Sequence, residues 1–299
     1  MSRVIIDTDP GTDDAIALIA ALNSPELDVA ALTTVTGNAS LQDATRNALG
    51  LLTSLRRSDI RVYVGADTPL TGQFALAEHY HGPGGMTIEL PESVDMPSGV
   101  PADRYIASAA ANFDEAITII ALGPLTNVAV AIQRRPEIKD RIKEIFVMGG
   151  AVEVGGNVTP YAEFNIYDDP RAANVVFDSG IPITLVGLDV CERVAFGLAE
   201  SDWKSGASTG ERLAARIIEG WFEIHPEYDR YVLCDPLTVA AAIAPDLLAY
   251  RHAGIIVEEE GEQKGRTRAD YKGTEVKVAV DVDVERARQL ILDRLRTTD

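Results

Sequence analysis

The sequence predicts an α/β protein, a single domain over residues 1–299 with a Rossmann-like, mostly parallel sheet and helices on both faces. Three observations predict it. Short apolar, β-rich runs alternate with Ala-rich helical patterns along most of the chain. Those β-rich runs are apolar at nearly every position, as strands covered on both faces require. The 299 residues, 46% of them hydrophobic, can bury a substantial core, and no repeat, linker or low-complexity tract divides them.

Val4-Ile5-Ile6 opens the chain as a strand at 4–7. The run Ala15-Ile16-Ala17-Leu18-Ile19-Ala20-Ala21-Leu22 is rich in helix formers and makes the first helix. Further strands are expected at 29–34, 61–64, 116–122, 144–148 and 183–186, with helical patterns such as 41–55 and 103–112 between them. Pro136 splits the crossover at 133–142 into two pieces, because an interior proline lacks the N–H and clashes with the preceding turn. Three stretches break the rhythm. Residues 71–101 carry His79, His81 and Gly82-Pro83-Gly84-Gly85 and read as a long loop. Residues 149–161 form a second Gly-rich insertion, and 198–235 reads as helical, with Trp221, Phe222, Tyr228 and Tyr231 near its end. Loops of this length inside a compact domain commonly serve as lids or binding loops. Strands near 254–258 and 276–280 and a helix at 284–295 complete the pattern.

A net charge of −19 excludes nucleic acid and anionic membrane surfaces as expected partners, since phosphate contacts need clustered Lys and Arg. Met1-Ser2-Arg3 leads straight into the first strand and no apolar run is long enough to span a bilayer, so a cytoplasmic protein is expected. Cys191 and Cys234 are the only cysteines, and their separation of 43 residues gives neither a disulfide framework nor zinc spacing.

Between the first strand and the first helix stands Asp7-Thr8-Asp9-Pro10-Gly11-Thr12-Asp13-Asp14, four carboxylates within eight residues. Pro10 and Gly11 shape the bend. A carboxylate at a helix N-terminus gains about 0.3–1 kcal/mol from the dipole. Four crowded into a partly desolvated crevice repel by kcal/mol per close pair. A cation would offset that repulsion, and hard oxygen ligands favour Ca²⁺ or Mg²⁺ over zinc. A solvated helix cap would account for Asp13 or Asp14, but not for Asp7 and Asp9 at the end of an apolar strand.

Ligands of open α/β sheets bind beyond the carboxyl ends of the strands. Polar residues stand just past the expected strands: Asp7 and Asp9; Thr36-Gly37-Asn38; Gly123-Pro124-Leu125-Thr126-Asn127; Met148-Gly149-Gly150 and then Asn157, Glu163 and Asn165; and finally Asp189. Singly, each could be a turn residue or a cap. Amides, hydroxyls and carboxylates recurring there with almost no Lys or Arg suit a neutral polyol such as a sugar, not a phosphate.

These motifs resemble the inosine–uridine-preferring nucleoside hydrolases over nearly the whole chain. Asp7 to Ala15 resembles the family's N-terminal signature, and Gly37-Asn38, Gly123 to Asn127, Met148-Gly149-Gly150, Ala162-Glu163-Phe164-Asn165 and Asp235-Pro236 come after it in the family's order. The resemblance implies that Asp9, Asp14, the Thr126 carbonyl and Asp235 hold Ca²⁺. It implies that Asp13, Asn38, Asn157, Glu163 and Asn165 hold the ribose hydroxyls, with Asp14 and Met148 also lining the substrate site. Asp9 would take the proton of the attacking water, in Ca²⁺-dependent hydrolysis of ribonucleosides by a homodimer or homotetramer. Carboxylates and carbonyls around an oxocarbenium-like ribosyl cation agree with that chemistry.

One position departs from the pattern. The purine-tolerant branch carries His just before the Asp of its Asp-Pro motif, and here Cys234 stands there. A thiol with pKa about 8.5 suits neutral-pH acid catalysis less well than imidazole near 6.5. Cys234 is equally readable as a packing residue. His81 is the leading substitute, ahead of His79 and His225, and Tyr228 and Tyr231 are expected at the base. Trp221, Phe222 and the two tyrosines are also readable as core. Two other functions compete: a non-catalytic nucleoside or sugar binder, and an Asp-x-Asp phosphatase, which Pro10-Gly11 disfavours.

Overall fold

The computed structural model describes residues 1–198, 208–270 and 276–296. Val4, Ile5 and Ile6 are fully buried in β1 (Ser2–Thr8), and the strand's period of two sends them to opposite cores. Val4 and Ile6 join one apolar cluster and Ile5 the other. Each such side chain contributes about 1.5–3 kcal/mol on full burial. The near-continuous apolar reading of the strands thus has its cause: both faces are covered.

Next come α1 (Thr12–Leu22), β2 (Leu27–Thr34), α2 (Leu41–Ser54), β3 (Arg61–Val64), α3 (Glu78–His81) and α4 (Ala102–Asn112). The middle of the chain forms β4 (Ile117–Ala121), α5 (Thr126–Arg134), β5 (Ile142–Met148), α6 (Phe164–Asp168), α7 (Pro170–Phe177) and β6 (Ile183–Val186). The rest is α8 (Leu188–Cys191), β7 (Ala195–Gly197), α9 (Thr209–Ile224), β8 (Arg230–Val232), α10 (Cys234–Ile243), β9 (Leu248–Val257), β10 (Thr267–Asp270), β11 (Val276–Val282) and α11 (Val284–Leu295). Among the described residues, nine strands make one sheet in the order β10-β9-β11-β6-β5-β4-β1-β2-β3, parallel except where β9 runs against both β10 and β11. One face is covered by α1, α2, α9, α10 and α11, the other by α4, α5 and α7. α1 is buried on nearly every side, which is why its sequence is apolar all round.

The strand order reverses between β1 and β4, which flank each other although two strands separate them in sequence. Asp7 pairs with Thr33 of β2 on one side and Ala121 of β4 on the other, so the three carboxyl ends finish level. The crevice at that switch point is where ligands bind in such sheets.

Two expectations change. Residues 71–101 are not a bare loop, since α3 and a 3₁₀ turn (Pro83–Gly85) lie within them. Gly82, at φ 91°, lets the chain turn directly after His81. The 198–235 stretch is not one helix: α9 ends at Ile224, and β8 then pairs antiparallel with β7. Arg230-Tyr231-Val232 is too short for its pattern to announce a strand, and residues 199–207 of that stretch lie outside the described residues. Pro136 does break the crossover, with α5 ending at Arg134 and a 3₁₀ turn (Pro136–Arg141) after it. Among the described residues, no helix is long and apolar enough to cross a membrane.

Candidate active site

Asp9 stands one residue past β1 at the switch point and is completely buried. Its Oδ2 accepts the backbone N–H of Asn38 at 2.7 Å, while its Oδ1 is buried with no partner among the described residues. Gly37 and Gly123 press on the two oxygens. A Cβ at Gly37 would sit 2.0 Å from Oδ2, and one at Gly123 would sit 2.4 Å from Oδ1. Glycine is needed at both for close approach, not for an unusual φ.

Asp14 is fully buried and spends both oxygens inside the chain. Oδ1 accepts from Thr8 Oγ1 at 2.5 Å, and Oδ2 accepts from Gly11 N and Asn38 Nδ2, each at 2.9 Å. The Gly11 contact is a helix-cap interaction, so this carboxylate has a capping role. Asp235 enters from the first turn of α10, where Pro236 has no N–H to leave unpaired. Asp13, Asp14 and Asp235 bring ligand oxygens within 4.8 Å of one another. Burial, then Asp14, pushes the Asp13 carboxyl up to about 8. The same two causes hold Asp9 well above the carboxylate range, and burial with Asp13, Asp14 and Asp9 does so for Asp235. Such acids cannot all be charged without a counter-ion. An all-oxygen donor set with unpaired buried oxygens on Asp9 and Asp13 fits a hard divalent cation. Asp13, which the resemblance gives to the ribose, thus sits close to the other acids.

Thr126, the first residue of α5, is buried, and its hydroxyl donates to Asp169 at 2.7 Å. Glu163 caps α6 and is 2% exposed. Its oxygens accept from Asn165 N at 2.9 Å, Gly150 N at 2.9 Å and Ile166 N at 3.1 Å, while burial raises its pKa. Asn165 donates its amide to the Leu122 carbonyl at 2.7 Å and lies 3.3 Å from Met148 Sδ, so β4, β5 and α6 meet there. Asn157 is exposed, its amide oxygen accepting the Phe164 N–H at 3.0 Å, and it stands at the rim of this group.

His81 arrives from the other side on α3 and is 4% exposed. Thr12 N–H donates to its Nδ1 at 3.2 Å, so that nitrogen is the lone pair and Nε2 bears the proton. Asp13 Oδ1 lies 3.7 Å away. Burial, with His79 and His225 adding to it, pushes the imidazole down to about 3. The ring is therefore a neutral N–H donor at pH 7. His79 is exposed. Cys234 opens α10, packed beside the buried Cys191. Its hydrogen bond with Cys191, then burial, holds it well above the usual thiol range, and both remain free thiols. Tyr231 is 1% exposed with its ring 5.0 Å from Trp221, and Tyr228 is half-exposed with its ring 5.4 Å from Trp221. Trp221 and Phe222 are core residues.

Sequence reasoning missed Asp168 and Asp169, both fully buried. Asp169 accepts from Leu70 N at 2.7 Å and Asp168 from Ala75 N at 2.9 Å, pinning the segment that leads to α3. The signal was the acidic pair before Pro170, a residue type that opens helices.

The profile of the family described as inosine-uridine preferring nucleoside hydrolase matches residues 4–289. The pyrimidine-specific ribonucleoside hydrolase RihA of Escherichia coli (strain HS) is 38% identical over 305 aligned residues, 98% of each chain. Among solved structures, the plant nucleoside hydrolase PpNRh1 is similar at a TM-score of 0.95 and 38% identity, with 99% of both chains covered. The purine-preferring ribonucleoside hydrolase from Gardnerella vaginalis is similar at 0.93 and 31%, covering 99% of this chain and 98% of that one.

Proposed function

We propose that this chain, which belongs to the inosine-uridine preferring nucleoside hydrolase family, is an N-glycosidase cleaving ribonucleosides to ribose and free base with the help of Ca²⁺. The observation that carries the reading is the buried acid cluster at the switch point, with Asp9 Oδ1 unpaired among the described residues. Asp9, Asp14, Asp235 and the Thr126 carbonyl are the ligands we assign, and the nearness of Asp13 to Asp14 and Asp235 adds it as a neighbour of the ion. When bound, the ion lowers the pKa of a water and offsets the carboxylate repulsion.

Asp9 takes the proton of the attacking water through Oδ1, the oxygen that nothing in the described chain engages. The surrounding carboxylates stabilise the positive charge that develops on the ribose as the glycosidic bond lengthens. Asn38, Glu163 and Asn165 grip the sugar hydroxyls, lending binding energy to the reacting centre. His81, neutral with its proton on Nε2, donates a hydrogen bond to the departing base. Tyr231 and Tyr228 face the base and exclude water. Cys234 is turned to Cys191 and has a secondary part.

The experiment is a panel of ribonucleosides and 2′-deoxyribonucleosides assayed for reducing sugar. Ribonucleosides should release ribose, and their deoxy counterparts should react at least about a hundred-fold more slowly, because a missing hydroxyl leaves buried polar groups unpaired. No sugar from any ribonucleoside would refute the activity, and equal rates on both sugars would refute the ribose assignment. The bacterial relatives differ in the base that their names specify, and the same panel reads this chain's preference.

A further inference from the structure

We infer that His225 is a positioning residue for His81, its ring N–H holding the peptide group from which His81 springs. The inference rests on the reading of His81 as the base-side donor. His225 stands directly after the last residue of α9, while His81 closes α3, far away in sequence. His225 Nε2 lies 2.8 Å from the Tyr80 carbonyl oxygen. A carbonyl can only accept, so Nε2 is the donor and carries a proton. That carbonyl belongs to the peptide joining Tyr80 to His81, and the bond fixes the plane of that peptide. The far end of His81 is fixed independently by Thr12, whose N–H donates to Nδ1.

His225 itself is not placed to protonate a base. Its proton-bearing Nε2 is engaged by Tyr80, and its Nδ1 faces Glu227 at 3.5 Å. Ring contacts reinforce the link: His225 lies 4.7 Å from Trp221 and 5.4 Å from Tyr80, and Tyr80 lies 5.0 Å from His81, centroid to centroid. A second tie joins the same two segments, from the Thr87 hydroxyl to the Ile217 carbonyl at 2.8 Å. The base side is thus built from two distant stretches of chain, and His225 sets their register at the donor.

Two variants and two substrates test it. His225→Phe keeps a ring among Tyr80 and Trp221 but removes the donor, whereas His225→Gln restores an N–H at about the reach of Nε2. On a natural ribonucleoside His225→Phe should lower kcat about ten-fold or more, since small misplacements of a catalytic group carry costs of that size. On a nitrophenyl riboside, whose leaving group needs no proton, the same variant should stay within about two-fold of wild type. His225→Gln should recover most of the loss, with thermal midpoints of all three proteins close together. Equal losses on both substrates, no loss on either, or a Gln variant no better than Phe would overturn the inference. His81→Ala separates the roles of the two histidines. If it spares natural substrates, the reading of His81 fails and this inference with it; if it impairs them while His225→Phe does not, only the inference fails.

Discussion

A methyl group at position 123 would stand 2.4 Å from one oxygen of Asp9. Such a contact cannot be relieved by a flexible neighbour, because the Asp9 carboxylate is itself confined between Gly37 and Gly123. Gly123→Ala should therefore push the proposed base out of line and lower kcat about a hundred-fold or more, while the Tm moves by only a few degrees. Steady-state kinetics alongside thermal unfolding check this, and a variant with wild-type kcat would show that Asp9 needs no such confinement. Asp9, Asp13 and Asp14 were legible in the sequence as a dense carboxylate cluster at the end of an apolar strand, whereas the cap and chain hydrogen bonds that occupy Asp14 were not. The two glycines were visible as motif letters, but their contact with Asp9 was not, since it joins three strand ends. The protonation state of His81 was equally hidden. It depends on burial and on the Thr12 N–H, neither of which can be read from a His-Gly pair.

At the scale of elements, Asp169 joins three pieces of chain with one carboxylate. It caps α7 at Ala172 N, accepts the Thr126 hydroxyl at the head of α5, and holds Leu70 N in the segment before α3. Asp169→Ala would leave those buried donors unpaired and remove a helix cap. The expected loss of stability is about 2–4 kcal/mol, read as a lower denaturation midpoint at unchanged slope. A loss below about 0.5 kcal/mol would mean that the segment is held by its other contacts alone. β3, β6 and α11 stand where their patterns predict them, because each is a short apolar run or a strongly periodic stretch between clear stops. β7 and β8 could not be read from sequence, since three-residue strands are defined by their partner and not by any period of their own. α3 was hidden for a related reason: four residues make one turn, and its place is set by the Ala77 N–H reaching the Asn38 carbonyl at 3.2 Å.

At the scale of the molecule, the alternation of strands and helices made the parallel sheet legible, and the polar residues after five of the expected strands pointed to one edge as the candidate site. The strand order was not legible, because local pattern does not say on which side of β1 the chain resumes. That order matters most: by placing β4 beside β1, it brings Gly123 to Asp9, at the end of the sheet where Asp235 meets Asp13 and Asp14. Cys234 and Cys191, separate in sequence, become neighbours by the same folding. In the proposed function this crevice holds one Ca²⁺ that the reaction requires, with Asp9 as both ligand and base. The most direct measurement titrates Ca²⁺ into chelator-stripped protein while recording bound metal and ribose release together, in wild type and in Asp9→Ala. In wild type both signals should rise together and saturate at one Ca²⁺ per chain, and Asp9→Ala should show weakened binding with turnover near background. Full turnover in the stripped protein, or an Asp9→Ala variant as active as wild type, would contradict that role for the crevice.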